Sequence, residues 1–166
     1  RVELGKTIRS DGILTANVLL PVATFPEEAQ RREFFTALTS QLAATPGVQA
    51  VTAVRILPMG RNGWSQPVKT PEMTKLDPAL APITHFNLVM PGFYKTFGIT
   101  LRRGRDFTVQ DGPDAPRVVI VTEDIAKKLW PKGDAIGQRL KFAGEADSLP
   151  WRTVIGVVPD LGMVRL

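Results

Sequence analysis

The chain has 166 residues, 43% of them hydrophobic, which is enough apolar material for one ordinary domain or two small subdomains. Its 21 Lys and Arg residues against 16 Asp and Glu give a net charge of +5, which permits anionic partners without indicating one. The absence of cysteine excludes disulfides, thiolate metal sites and cysteine nucleophiles, and the single histidine excludes a multi-histidine metal centre.

Residues 1–57 predict a strand-helix-strand unit. Apolar side chains alternate along 14–20, which indicates a half-buried strand that a proline ends. A helix follows, with two glutamates in its first turn, and the Pro-Gly pair at 46–47 ends it. The apolar run at 48–57 indicates the second strand. The apolar stripe of the helix consists of Phe34, Phe35, Leu38 and Leu42.

The middle of the chain begins with a segment rich in turn-forming residues. Glycines and prolines interrupt every apolar run within 58–82, which is typical of loop or irregular edge structure. The run at 84–90 indicates a strand. A Pro-Gly turn then leads into a short helix at 93–97, and Gly98 is expected to end this helix in the left-handed conformation.

The last third of the chain predicts three strands and one helix. The β-branched run at 117–122 indicates a buried strand. Thr122 is placed to cap a following helix, which Pro131 ends. The segment 138–142 alternates in polarity, and 152–160 contains a last apolar strand.

These elements predict an α+β fold made of two parts. We expect the first unit, 1–57, and the last strand to lie in one sheet. The segment 58–150 would then be an inserted β-rich subdomain, and 151–166 would begin the return to the first part.

The most basic segment contains Arg102, Arg103 and Arg105, with Gly104 and Asp106 among them. A sheet edge protected by charge is favoured over anion recognition, because cationic side chains discourage pairing between edges. No stacking aromatics are interleaved with the arginines, so nucleic acid is not expected as a partner. We expect Asp106 to pair with Arg103 or Arg105.

Aromatic residues add one candidate for an exposed contact. Trp64 lies in a polar, glycine-rich loop, whereas Trp130 and Trp151 are expected to pack inside the fold. Trp64 and the three arginines Arg102, Arg103 and Arg105 are therefore the candidate partner-contact residues.

Signals for catalysis and metal binding are weak. Ser65 lacks the second glycine of a nucleophile elbow, although His85 could in principle serve as its base. Asp111 and Asp114 flank a Gly-Pro pair, and a solvated turn is favoured over a cation site because two carboxylates are too few ligands. No phosphate-binding or dinucleotide glycine pattern is present. We therefore predict a protein that is not an enzyme, with no cofactor and no metal.

Three groups of residues carry a resemblance to a known family. They are PGFY at 91–94, GI at 98–99 followed by RGRDF at 103–107, and WP at 130–131 followed by GQRL at 137–140. Together with the order of the predicted elements, they resemble the MacB-type periplasmic core domain of ABC-transporter permeases of the MacB/FtsX class. The chain is most similar to the second such domain of the large permeases that carry two.

The resemblance implies an extracytoplasmic domain on the periplasmic face of the inner membrane, between two membrane helices of a permease. In such proteins a porter-like subdomain, here 1–57 and 151–166, is split by an inserted subdomain, here 58–150. The family's porter part continues for another helix and strand. The family pattern offers no catalytic residues, so 103–106 becomes a structural signature.

The resemblance also implies a mechanical function. ATP would be hydrolysed on a separate cytoplasmic ATPase subunit, and the domain would transmit the movement to export, efflux or other envelope-related work. A periplasmic adaptor, a lipoprotein and a second copy of the chain are the candidate partners. The alternative is a free-standing basic module that binds anionic polymers or lipid head groups.

Overall fold

The structure is a computed structural model that describes residues 8–9, 11–58, 64–73, 77 and 80–161. Within these ranges it contains one sheet and short helices, which confirms the predicted α+β class. The helices are α1 (Glu28–Ala43), α2 (Phe93–Thr96) and α3 (Glu123–Leu129). The strands are β1 (Trp64–Lys69), β2 (Ile83–Phe86), β3 (Arg103–Gly104), β4 (Val118–Thr122), β5 (Arg139–Phe142) and β6 (Arg152–Val158).

The sheet is organised around β6. Its strand order is β2-β1-β5-β6-β3, and β4 also pairs with β6. The β4–β6 pairing is parallel and the others are antiparallel. Because β6 is an almost continuous apolar run, it can be buried on both faces. This strand therefore occupies the centre of the sheet.

Two apolar clusters cover the two faces of β6. Val157 belongs to the cluster that α3 completes with Ile125 and Leu129. The next residue, Val158, belongs to the aromatic cluster of α2 with Phe93. Since successive strand residues point to opposite faces, the two helices lie on opposite sides of this strand.

Local signals place the short helices as predicted. Thr122 accepts a hydrogen bond from the Ile125 amide at 3.5 Å and so caps α3. Gly98 follows α2 with φ at 65°, the left-handed conformation expected for it. Phe93 and Phe97 are both buried, with ring centroids 5.1 Å apart.

Helix α1 forms as predicted but buries none of its residues. A capping box begins it, in which Glu27 and Gln30 bond reciprocally. Its apolar stripe is half-buried at best, and Leu42 is 45% exposed. With 16 residues, α1 is the longest helix described, and no helix in the described ranges is both long and apolar enough to cross a membrane.

The two strands predicted beside α1 are not formed. Residues 13–20 have no regular structure, and in 48–57 only Val54 makes a single bridge, to Val89. The predictions were wrong because an alternating pattern indicates which side chains could be buried but not which neighbouring strand would pair with the segment. A stable strand needs both a buried face and a pairing strand. Leu14, at 97% exposure, has neither.

The last strand also pairs differently from our expectation. β6 hydrogen-bonds to β3, β4 and β5, which all belong to 58–150, rather than to the first unit. The β-branched run at 118–122 is its long parallel neighbour, which sequence alone could not indicate. The division of the chain at 57/58 and 150/151 remains a prediction.

Candidate functional site

The basic segment is held in place by β6. Arg103 lies opposite Val157, and Gly104 lies opposite Gly156. Gly104 has φ at 78°, and a Cβ atom there would stand only 2.1 Å from the carbonyl oxygen of Ile155. The two facing glycines therefore let β3 approach β6 closely. β3 is the last strand in the strand order of the sheet. This position agrees with the expectation of a sheet edge that is protected by charged side chains.

All three candidate arginines are engaged by carboxylates. Each of these guanidinium groups has a carboxylate within 4 Å, which lowers the net charge that the segment presents to an anion. Arg102 thereby contacts α3, Arg103 contacts the loop between α3 and β5, and Arg105 contacts the turn that follows β3. The pairs are Arg102 with Glu123 (Nε to Oε2, 3.8 Å), Arg103 with Asp134, and Arg105 with Asp111 (two contacts of 2.7 Å).

Asp111 is the most heavily used carboxylate of the group. Besides the bidentate pair with Arg105, it accepts hydrogen bonds from the amide and hydroxyl of Thr108. The Arg105 hydrogen bonds and, to a smaller extent, those of Thr108 hold the pKa of Asp111 well below its ordinary value. This geometry agrees with a turn rather than a cation site.

Asp106 does not pair as expected. Arg105 donates to its backbone carbonyl at 3.0 Å, and its carboxylate accepts from the Phe107 amide. Partial burial raises the pKa of this carboxyl. The predicted ion pair with Arg103 or Arg105 was wrong because both arginines reach carboxylates farther along the chain.

Trp64 heads a row of aromatic rings at the other end of the sheet. Its ring lies 5.8 Å from that of Phe86, which lies 4.8 Å from that of Phe142. The guanidinium of Arg55 lies 3.9 Å from the Trp64 ring centroid, and that of Arg152 lies 4.8 Å from the Phe142 centroid. A cation–π contact thus lies at each end of the row. Trp64 remains 47% exposed.

The candidate residues do not form one site. Trp64 lies on β1 and the arginines lie on and around β3, with β5 and β6 between these strands. Sequence reasoning missed the partners Arg55, Glu123 and Asp134, because they are distant along the chain and no local motif links them to the residues they contact.

Ser65 and His85 face each other across the β1–β2 pair. Both are exposed, and within the described ranges no hydrogen bond joins them and no carboxylate orients the imidazole. The pair thus lacks the third member that a catalytic triad needs. Among the described residues there is also no group of three or more His, Asp or Glu side chains that could hold a metal ion.

Comparison with known proteins assigns the fold. The periplasmic region of MacB from Actinobacillus actinomycetemcomitans is 18% identical, with a TM-score of 0.53, over 77% of this chain and 51% of that one. The extracellular domain of the noncanonic ABC-type transporter YknZ from Gram-positive bacteria is 21% identical, with a TM-score of 0.51, over 74% of this chain and 55% of that one. The chain thus spans about half the length of these structures. None of the curated proteins matches it significantly.

The family model for the MacB-like periplasmic core domain matches residues 5–165. The chain belongs to this family. Its general kind is therefore a periplasmic domain of the type carried by ABC-transporter permeases, as the sequence resemblance predicted. Correspondence to the second of two such domains remains a prediction.

Proposed function

We propose that this chain is a non-catalytic extracytoplasmic domain that couples ATP hydrolysis on a cytoplasmic ATPase subunit to export or other envelope-related work. Flanking membrane helices of a parent permease would carry the movement, at the periplasmic face of the inner membrane. The single observation that supports this most is the family match, which spans 5–165 and so nearly the whole chain.

The packing of the chain supports the proposal that it works as one part of a larger assembly. β6 and the two clusters on its faces form a closed body, whereas α1 buries none of its residues and leaves its apolar stripe half-exposed. Exposed apolar side chains also crowd the segment before α1, where Leu19 and Val22 are 83% and 73% exposed. We propose that these two surfaces pack against other parts of the permease.

The alternative function, a free-standing basic module, has less support. It rests on a net charge of +5, and the three most clustered arginines are each paired with a carboxylate. Charge that is already neutralised locally contributes little to binding a polyanion, because the anion must compete with the existing pairs. A periplasmic adaptor, a lipoprotein or a second copy therefore remain the proposed partners.

Thiol labelling tests the proposed location. The chain has no cysteine, so a single one can be introduced into an otherwise cysteine-free parent permease. We expect exposed Lys128→Cys on α3 to react with a membrane-impermeant maleimide in cells whose outer membrane alone is permeabilised. Val121→Cys, at a position only 6% exposed, should react only after denaturation. Labelling of Lys128→Cys that requires rupture of the inner membrane would refute the proposal.

A further inference from the structure

Strand β2 forms an open edge of the sheet. It stands at one end of the strand order, and no strand of the described residues lies on its outer side. The amide of Val68 on β1 donates to the carbonyl of Pro82 at 2.9 Å, which fixes the residues that face β1. Because hydrogen-bonded and non-hydrogen-bonded pairs alternate between antiparallel strands, Ile83 and His85 direct their N–H and C=O groups away from β1.

The edge of β2 lacks the charged side chains that protect the other end of the sheet. Arginines flank β3, and such charges discourage one edge from pairing with another. Residues 78–94, by contrast, contain no Asp, Glu, Lys or Arg, although 22% of the whole chain is charged. Three large apolar side chains on and beside β2 are also exposed, namely Leu80 (72%), Ile83 (69%) and Leu88 (56%). This edge is therefore suited to pair with a further strand.

The absence of charge along this edge favours a second copy of the chain as the partner. A partner recognised by its charge would need ionic groups along β2. Two copies can meet here without opposing like charges, even though each chain carries a net charge of +5. The backbone groups also match when Thr84 of one copy lies opposite Thr84 of the other. Ile83 of each copy then exchanges both N–H···O bonds with His85 of the other.

We infer that β2 pairs antiparallel with β2 of a second copy, about a twofold axis that passes beside Thr84. The Thr84 hydroxyl donates to the His85 carbonyl at 3.2 Å, which leaves that carbonyl a second lone pair for the bond between copies. The inference selects the second copy among the proposed partners and rests on that part of the proposed function. Because association is measured on this chain alone, the pairing can fail while the coupling proposal stands.

Sedimentation equilibrium of the 166-residue chain tests the inference. Because β2 has only four residues, we expect a weak, reversible dimer with a dissociation constant on the order of 100 µM. Thr84→Lys should weaken dimerisation at least about tenfold, since two like charges would face each other at the axis. Thr15→Lys is the matched control, because Thr15 is exposed and its substitution adds the same charge outside β2. This control should leave the dissociation constant unchanged.

Disulfide formation tests the register of the pairing. The chain has no cysteine, so Thr84→Cys introduces a single thiol. Opposite residues of a non-hydrogen-bonded antiparallel pair have Cα atoms about 4.5 Å apart, a distance that a disulfide can span. Under a mild oxidant, Thr84→Cys should form a covalent dimer at least about tenfold faster than Thr15→Cys, because pairing of the edges raises the effective concentration of the two thiols.

Three outcomes would overturn the inference. The first is a chain that stays monomeric at about 1 mM, which would assign the edge to an extended segment of a different protein. The second is a dimer that Thr84→Lys and Thr15→Lys leave equally tight, and the third is equal rates of covalent dimerisation in the two cysteine variants. Cysteine and threonine are similar in size, so the third comparison remains decisive even if Thr84→Lys is unstable.

Discussion

Among the glycines that the structure describes, Gly104 has the least room for a side chain. Its positive φ and the short approach to β6 leave no room for a side chain, since an added Cβ would also stand 2.9 Å from the Cα of Gly156. A basic, glycine-containing segment in the sequence therefore reflects strand packing as much as charge. The close packing of β3 on β6 thus accounts for the glycine within RGRDF without requiring the segment to bind anything.

Gly104→Ala should destabilise the chain strongly. Backbone strain at positive φ and the clash with Ile155 together predict a loss of about 3 kcal/mol, or roughly 10 °C in Tm. Gly133→Ala is the control, because a Cβ there meets nothing within 4 Å and φ is not positive. Thermal unfolding followed by circular dichroism measures both. Equal Tm values for the two variants would contradict the close approach of β3 and β6.

The pair of Asp111 with Arg105 makes stability depend on pH in a defined direction. The pKa of Asp111 is lowered in the folded state, so its contribution is complete above the ordinary carboxyl pKa of about 3.9 and is lost as the pH falls through the folded value. We expect Asp111→Asn to lower Tm by about 3 °C at pH 7. This difference from the wild type should persist to about pH 5 and shrink below about pH 4.

Asp114→Asn provides the comparison for that measurement. Asp114 is exposed in the same loop and forms no ion pair within the described ranges, so its substitution should leave Tm unchanged across the pH series. If the Asp111→Asn difference instead grew as the pH fell, the sign of the linkage, and with it the Asp111–Arg105 pairing, would be wrong.

At the scale of elements, α1 and α3 differ in how much the burial of their apolar faces contributes to the stability of the fold. Leu129 on α3 is 6% exposed inside a core cluster, whereas Leu38 on α1 is only half-buried. Both helices have good end signals, so the difference arises from packing partners rather than from helix propensity. We therefore expect the two helices to respond differently to truncation of the same side chain.

Leu129→Ala should cost about 3 kcal/mol in the 166-residue chain, and Leu38→Ala about 1 kcal/mol or less. Ala favours the helix at least as well as Leu, so both substitutions report on packing alone. Urea unfolding gives both values. In the parent permease, Leu38→Ala should become as costly as Leu129→Ala. A large loss for Leu38→Ala in the isolated chain would show that α1 is already fully packed.

Local sequence signals predicted the three helices and the strands β4, β5 and β6, but not β1, which formed within 58–82, where loop or irregular edge structure was expected. The cap at Thr122, the Pro-Gly turn before α2 and the β-branched run of β4 each act within a few residues, and all of these elements formed. The strands at 14–20 and 48–57 failed because strand formation depends on a partner that the pattern does not name. The strands that pair with β6 are likewise set by tertiary packing.

The candidate contact residues show the same limit. The exposure of Trp64 was predictable from its polar, glycine-rich surroundings, and the charge of the arginine segment was visible directly. The carboxylates that engage Arg102 and Arg103 lie 21 and 31 residues away, on α3 and in the loop that follows it. Ion pairs between residues so far apart in sequence cannot be predicted from local spacing.

At the scale of the whole molecule, the chain divides into a packed body around β6 and a less buried part that contains α1. This asymmetry fits a domain that responds to movement elsewhere, because weakly packed elements change their contacts at low cost. We propose that such movement originates with nucleotide on a separate cytoplasmic subunit.

Hydrogen exchange of the membrane-embedded permease with its ATPase tests that claim most directly. Amide exchange along this chain is compared with and without a non-hydrolysable ATP analogue. We expect exchange in 13–22 and α1 to change with nucleotide supplied to the separate ATPase subunit, while the amides of β6 remain uniformly protected. Identical exchange throughout the 166 residues in both states would contradict coupling through this domain.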